Sequence, residues 1–147
     1  MPLSPVKGSF GQLAVLAGDA NGLNPSTNTR YFFAQNVNVD PQTANSQFQH
    51  VTASPAVLTG YSVVATVVGN KDNGGNLAAF SVRVDNATDY GTQNLAFSTS
   101  QQTVGVDGLS VPLAKGAQLQ ITFLTPATFT TPPTLIFFAG GISVSDP

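Results

Sequence analysis

The sequence has no cysteine, no tryptophan and no glutamate, a single histidine, and charged residues at only 8% of its 147 positions. An average globular protein carries about 25%. Each absence removes a class of function. Without cysteine there is no disulfide scaffold and no thiolate zinc site, and nothing reports the redox compartment. The five basic residues, Lys7, Arg30, Lys71, Arg83 and Lys115, are scattered and form no stripe able to neutralise phosphates. Nucleic acid is therefore not expected as a partner. No apolar run approaches the roughly 20 residues of a membrane-spanning helix, so no membrane partner is expected either. The opening segment has one lysine and a short apolar run whose approach is broken by Gly11 and Gln12, which is not the pattern of a cleaved leader.

Catalytic chemistry is equally short of material. His50 is the only imidazole and has no assignable partner for acid–base work. Asp72, Asp85 and Asp89 lie on or beside loops, where oxygen ligands could meet calcium, but their spacing lacks the acidic density of a calcium loop. Asp and Asn favour turns through their own side-chain hydrogen bonds, which is the simpler account. No Gly-x-Ser-x-Gly elbow occurs, and neither Gly74-Gly75 nor Gly140-Gly141 leads into a helix or a Lys-Ser/Thr pair. Asn86-Ala-Thr88 matches a glycosylation sequon, which would matter only in a eukaryotic secreted protein. An enzyme is not expected, nor are a catalytic residue, a cofactor or a metal.

What the chain does have is period-two patterning. Phe80-Ser-Val-Arg-Val-Asp85 alternates strictly, placing Phe80, Val82 and Val84 on one face of a strand. The same period recurs from Leu95, Leu109, Leu119 and Ile142. Turn chemistry separates the runs: Gly69–Gly75, Asn86–Gly91, Asp107-Gly108 as a two-residue hairpin, Lys115-Gly116, and the Thr/Pro-rich stretch from Thr125 to Pro133. Nearer the N-terminus, Gly11–Ala17 reads as a short strand, Asp19–Thr29 as a loop, Arg30–Asp40 as a strand and Pro41–Gln49 as a loop. Abundant Thr, Val and Phe suit a pleated, half-buried surface. The expected fold is all-β: a jelly-roll β-sandwich of about 8–10 antiparallel strands. One domain spans 1–147, with residues 1–9 as an extended N-terminal arm and about 10–145 as the sandwich.

Two runs, Tyr61–Val68 and Leu135–Ala139, are apolar on both faces. A strand of that kind needs cover on both sides, one from the opposite sheet and one from a loop or neighbouring subunit. Tyr61, Val63, Val64, Phe137 and Phe138 are the candidate subunit-interface residues.

The segment Asp107–Phe123, followed by Leu135–Val144, resembles the final strands of trimeric jelly rolls of the tumour necrosis factor/complement-head type, with Ala117 where that pattern usually has Asp. Ala56–Val64 and Phe80–Val84 fit earlier strands of the same fold, so the resemblance covers roughly residues 55–145. Such domains are common in bacteriophage virion and spore-surface proteins. The resemblance implies a homotrimer with one face of each protomer covered by its neighbours. The expected role is then a capsid decoration (cement) protein that binds the major capsid protein on the outside of a phage head, which places it at the virion surface. The alternative is a tail-fibre tip or tail adaptor recognising a receptor or glycan through polar loops 19–29, 41–49 and 69–76. On this reading Phe137→Asp or Phe138→Asp dissociates or unfolds the protein, and full retention of the assembly by light scattering counts against that placement.

Overall fold

The computed structural model of the protein describes residues 14–23, 29–32, 50–68, 77–95, 101–127 and 135–147, with the backbone alone at 14–23, 67–68 and 135–137. These residues form nine strands: β1 (Ala14–Leu23), β2 (Arg30–Phe32), β3 (His50–Val51), β4 (Ala56–Val68), β5 (Ala78–Val84), β6 (Thr88–Leu95), β7 (Gln102–Leu113), β8 (Gln118–Leu124) and β9 (Leu135–Ser145). The pairings are nested and antiparallel. β5 pairs with β6, β4 with β7, both β2 and β3 with β8, and β1 with β9. Successive pairs alternate between two sheets, β1-β9-β4-β7 and β2-β8-β5-β6, with β3 also on β8. A long hairpin wound around itself in this way is a jelly roll.

The core lies between the sheets. Phe80 and Phe123 are partners across β5 and β8, with ring centroids 4.8 Å apart. Phe138 reaches them from β9 in the facing sheet, edge-on to Phe80 at 5.3 Å and tilted to Phe123 at 4.9 Å. Rings at these separations gain about 0.5–1.5 kcal/mol per pair beyond the area they bury. Leu58, Val63, Ala65, Val82, Leu95, Ile121 and Ile142 complete the apolar layer.

Tyr61 crosses the same layer with a polar tip. Its hydroxyl lies 2.9 Å from the Phe80 carbonyl oxygen and 2.7 Å from that of Gly91, donating between them. Both carbonyls flank the irregularity where the β5–β6 register shifts, between Phe80 and Val82. At this shift the phenol donates to carbonyls that face the interior. Burial pushes the Tyr61 pKa above its usual value, which keeps the phenol protonated and donating. Gly91 is the bulge residue, at φ 63°, and a Cβ there would stand 2.5 Å from Val106 Cγ1. Glycine alone satisfies both conditions.

Threonines hold both ends of β8. At its start, Thr52 exchanges backbone bonds with the β7–β8 turn: its N–H donates to the Ala117 carbonyl (3.0 Å) and its carbonyl accepts from Gly116 (2.8 Å). The Thr52 hydroxyl adds a bond to the Ala114 carbonyl at 2.7 Å. At its end, Thr125 Oγ1 accepts from the Thr29 N–H at 2.9 Å, and the Thr125 N–H donates to the Thr29 carbonyl at 3.0 Å. Two short strands can therefore share one edge of β8 without fraying.

Several sequence expectations are corrected. Asp107-Gly108 is no hairpin: β7 runs through it, with a register shift against β4 and Gly108 at φ 77°. The β5–β6 turn is tighter than the loop expected at Asn86–Gly91. Asp85 and Asn86 adopt φ 51° and 55°, the Ala87 N–H donates to the Val84 carbonyl at 3.0 Å, and β6 resumes at Thr88. Positive φ at both central residues matches the strand twist. Asp19–Leu23, expected in a loop, lie in β1, and the last two C-terminal runs are one strand, β9. Lys115-Gly116 is a tight turn as expected, with Gly116 at φ 86° and the Ala117 N–H on the Ala114 carbonyl. The arm at 1–9, residues 33–49 and the loop at 69–75 lie outside the described residues.

Tyr61→Phe removes a buried hydroxyl and its bonds to the Phe80 and Gly91 carbonyls, so urea unfolding should show a loss of about 1–3 kcal/mol with the slope unchanged. The folded-state pKa of Tyr61 lies above the unfolded value, so its contribution is complete below about pH 10 and is lost as pH rises beyond that. The variant should accordingly lose less stability than the parent between neutral and alkaline pH.

Candidate assembly face and polar cluster

The outer face of the β1-β9-β4-β7 sheet is built mainly by its two central strands. β4 and β9 contain no charged residue anywhere along their lengths. Outward positions carry small or hydroxylated side chains: Ser62 and Ala139 are exposed, while Val64, Thr66 and Ser143 are half-buried. Ser62 pairs with Gly105 on one side and Gly141 on the other, and Val64 pairs with Ala139. A sheet face without long or charged side chains lets another backbone approach closely and loses little solvation when covered.

Three of the five candidate interface residues are not on this face. Tyr61, Val63 and Phe138 are 2%, 0% and 3% exposed, with side chains inside the protomer's own core. On β4, strand alternation gives the inner face to Tyr61, Val63 and Ala65. Val64 points outward. Phe137 stands opposite Thr66 in the register, and its side chain lies outside the described residues. Phe138→Asp thus perturbs the core and does not report on assembly.

The outer face of the other sheet is organised differently. Arg30, on the β2 edge, reaches Asp89 on the opposite edge strand, β6. Its Nη1 donates to Asp89 Oδ1 at 3.1 Å and its Nη2 to Oδ2 at 2.9 Å. Arg83 Nη1 donates to the same Oδ1 at 2.9 Å. Arg30 Nη1 also donates to Thr122 Oγ1 at 2.9 Å, and that hydroxyl lies 3.0 Å from Ser81 Oγ. Four of the five strands of the sheet, β2, β8, β5 and β6, are joined by side chains. The ion-paired groups keep only 20–26% of their side-chain surface. Outward-facing Ser81, Gln120 and Thr122 are buried beneath this layer.

Alternation showed that Arg83 faces away from the core, and its partnership with Asp89 follows from a hairpin turning at Asp85-Asn86. Arg30 was not foreseen, since nothing local relates it to Asp89, 59 residues away. Of the acids considered for calcium, Asp85 and Asp89 have other occupations, and Asp72 lies outside the described residues. Asp89 holds two guanidiniums, and Asp85 Oδ1 accepts from the Gln118 N–H at 2.9 Å. Among the described residues no three His, Asp or Glu side chains gather as a metal site would require. His50 sits in β3 opposite Leu119, with its pKa lowered by burial.

In fold, the chain is similar to the globular domain of the zebrafish complement 1qA protein. The match covers 87% of this chain and 94% of that one, with a TM-score of 0.50 and 12% sequence identity. The likeness is one of fold, an all-β antiparallel jelly roll. No protein-family model and no curated protein matches the sequence.

Asp89→Asn keeps the side chain's size and removes the charge both arginines share. Urea unfolding should show a loss of about 2 kcal/mol, the range for hydrogen bonds to charged groups. Glu at the same position should restore part of it, whereas a variant as stable as the parent would mean the cluster adds nothing to the fold.

Proposed function

We propose that the chain is a structural protein that works as a homotrimer, and that the trimer is a capsid decoration protein seated on the major capsid protein at the outer surface of a phage particle. The observation that carries self-association is the charge-free β4–β9 face, on a fold shared with a complement-head domain. A monomer with that face open would present a broad uncharged sheet to water, the surface that natural sheets usually cover or charge. The placement on a phage head draws on the resemblance of residues 55–145 to virion jelly rolls and on the low-charge, Thr-, Ser-, Asn- and Gln-rich composition. The second reading, a receptor- or glycan-binding tail-fibre tip or adaptor, is favoured by one observation, a polar cleft beside Arg83.

Light scattering should give three times the 15.1 kDa of the chain. Val64→Asp and Ser62→Arg, both on the outer face, should yield folded monomers, because neither side chain enters the core. A parent that is monomeric at micromolar concentration sinks the trimer. The capsid placement is tested separately: the trimer should bind undecorated capsids to a saturable, symmetry-matched stoichiometry and raise their resistance to heat. Binding to host cells without binding to capsids would favour the tail reading.

A further inference from the structure

We propose that the cleft between the β5–β6 turn and the start of β8, floored by Arg83, binds a carboxylate-bearing sugar. The cleft is lined by Phe32, Arg83, Asn86, Gln118 and Gln120; with the rim side chains as they stand it holds no free interior volume, and the space of about 150 Å³ at its mouth includes open solvent. It lies on the outer face of the β2-β8-β5-β6 sheet, away from the β4–β9 face, so the proposal does not depend on the capsid placement.

The guanidinium is the central observation. Arg83 spends one terminal nitrogen on Asp89, at 2.9 Å, while its Nε–H is buried and meets no acceptor among the described residues. A buried donor left without an acceptor is costly and rare, and it calls for an explanation. An oxygen atom delivered by a ligand provides one. The charge around it selects the kind of oxygen. Arg30 and Arg83 share the single carboxylate of Asp89, so among the described residues this cluster carries one more positive than negative charge. The other nearby acid, Asp85, is turned toward the Gln118 backbone N–H. An incoming carboxylate therefore satisfies both the N–H and the charge.

The rest of the lining suits a sugar ring. Asn86, Gln118 and Gln120 offer planar amides that donate and accept together, as adjacent hydroxyls require, and Phe32 adds an apolar surface. The floor is narrow. Asn86 and Gln118, which are exposed and form the rim, must turn aside for a ligand to reach the guanidinium.

The test uses the ¹⁵N-labelled full chain titrated with glucuronic acid, glucose and acetate, followed by the resonances of the Arg83 Nε–H and the Asn86 and Gln118 amides. Glucuronate should produce saturable shifts at these groups, with affinity at least about tenfold above glucose and above acetate, about the margin one charge-assisted bond supplies. Gln118→Ala, at the exposed rim, should weaken glucuronate about tenfold without moving the urea midpoint. Arg83→Lys, which keeps the charge and loses the Nε–H, should abolish the preference over glucose if circular dichroism shows it folded. Equal binding of glucose and glucuronate, equal binding of acetate and glucuronate, or no saturable shift with any of the three overturns the proposal.

Discussion

The two sheets are held in register by a polar contact inside an apolar layer, the Tyr61 hydroxyl on the carbonyls of Phe80 and Gly91. Phe80, Phe123 and Phe138 supply most of the aromatic contact area, but non-directional packing permits many small slides of one sheet over the other. A hydroxyl that must reach two particular carbonyls permits very few. The contact also accounts for its neighbours. The β5–β6 bulge creates the acceptors, Gly91 makes the bulge geometrically possible, and Val106 and Leu109 fill the space a side chain at Gly91 would take.

The outer faces of the two sheets solve opposite problems. The β2-β8-β5-β6 sheet closes its own polar surface: Arg30, Arg83 and Asp89 tie its edges together and bury the hydroxyls of Ser81 and Thr122 beneath them. Asp89 lies between two cations, and among the described residues the Arg83 Nε–H finds no acceptor, the two features on which the proposed anionic ligand rests. The β1-β9-β4-β7 sheet leaves its central surface flat, uncharged and small in side-chain size. Assembly through one sheet and recognition through the other would not compete for the same residues.

Much of the fold was legible in the sequence because strand alternation is local. The runs around Phe80, Leu119 and Tyr61 map directly onto β5, β8 and β4. The failures have a common cause, since a turn signal reports what the backbone is able to do and not what its partners require. Asp107-Gly108 has hairpin chemistry, yet β4 stays paired with β7 on both sides of it, and the pair is absorbed as a bulge. Gly140-Gly141 likewise seemed to divide two strands, while β1 and β4 on either side keep β9 continuous.

The sequence by itself determined the all-β class, the apolar faces of individual strands, the shortage of catalytic groups and the charge-free stretches that became β4 and β9. Each of these follows from residue type and a two-residue period. Tertiary structure alone decided that Tyr61, Val63 and Phe138 face inward, that Arg30 meets Asp89 across the sheet, and that the Arg83 Nε–H finds no acceptor among the described residues. These depend on which strands become neighbours, and in a nested winding the neighbours are distant in the chain, so no local pattern records them.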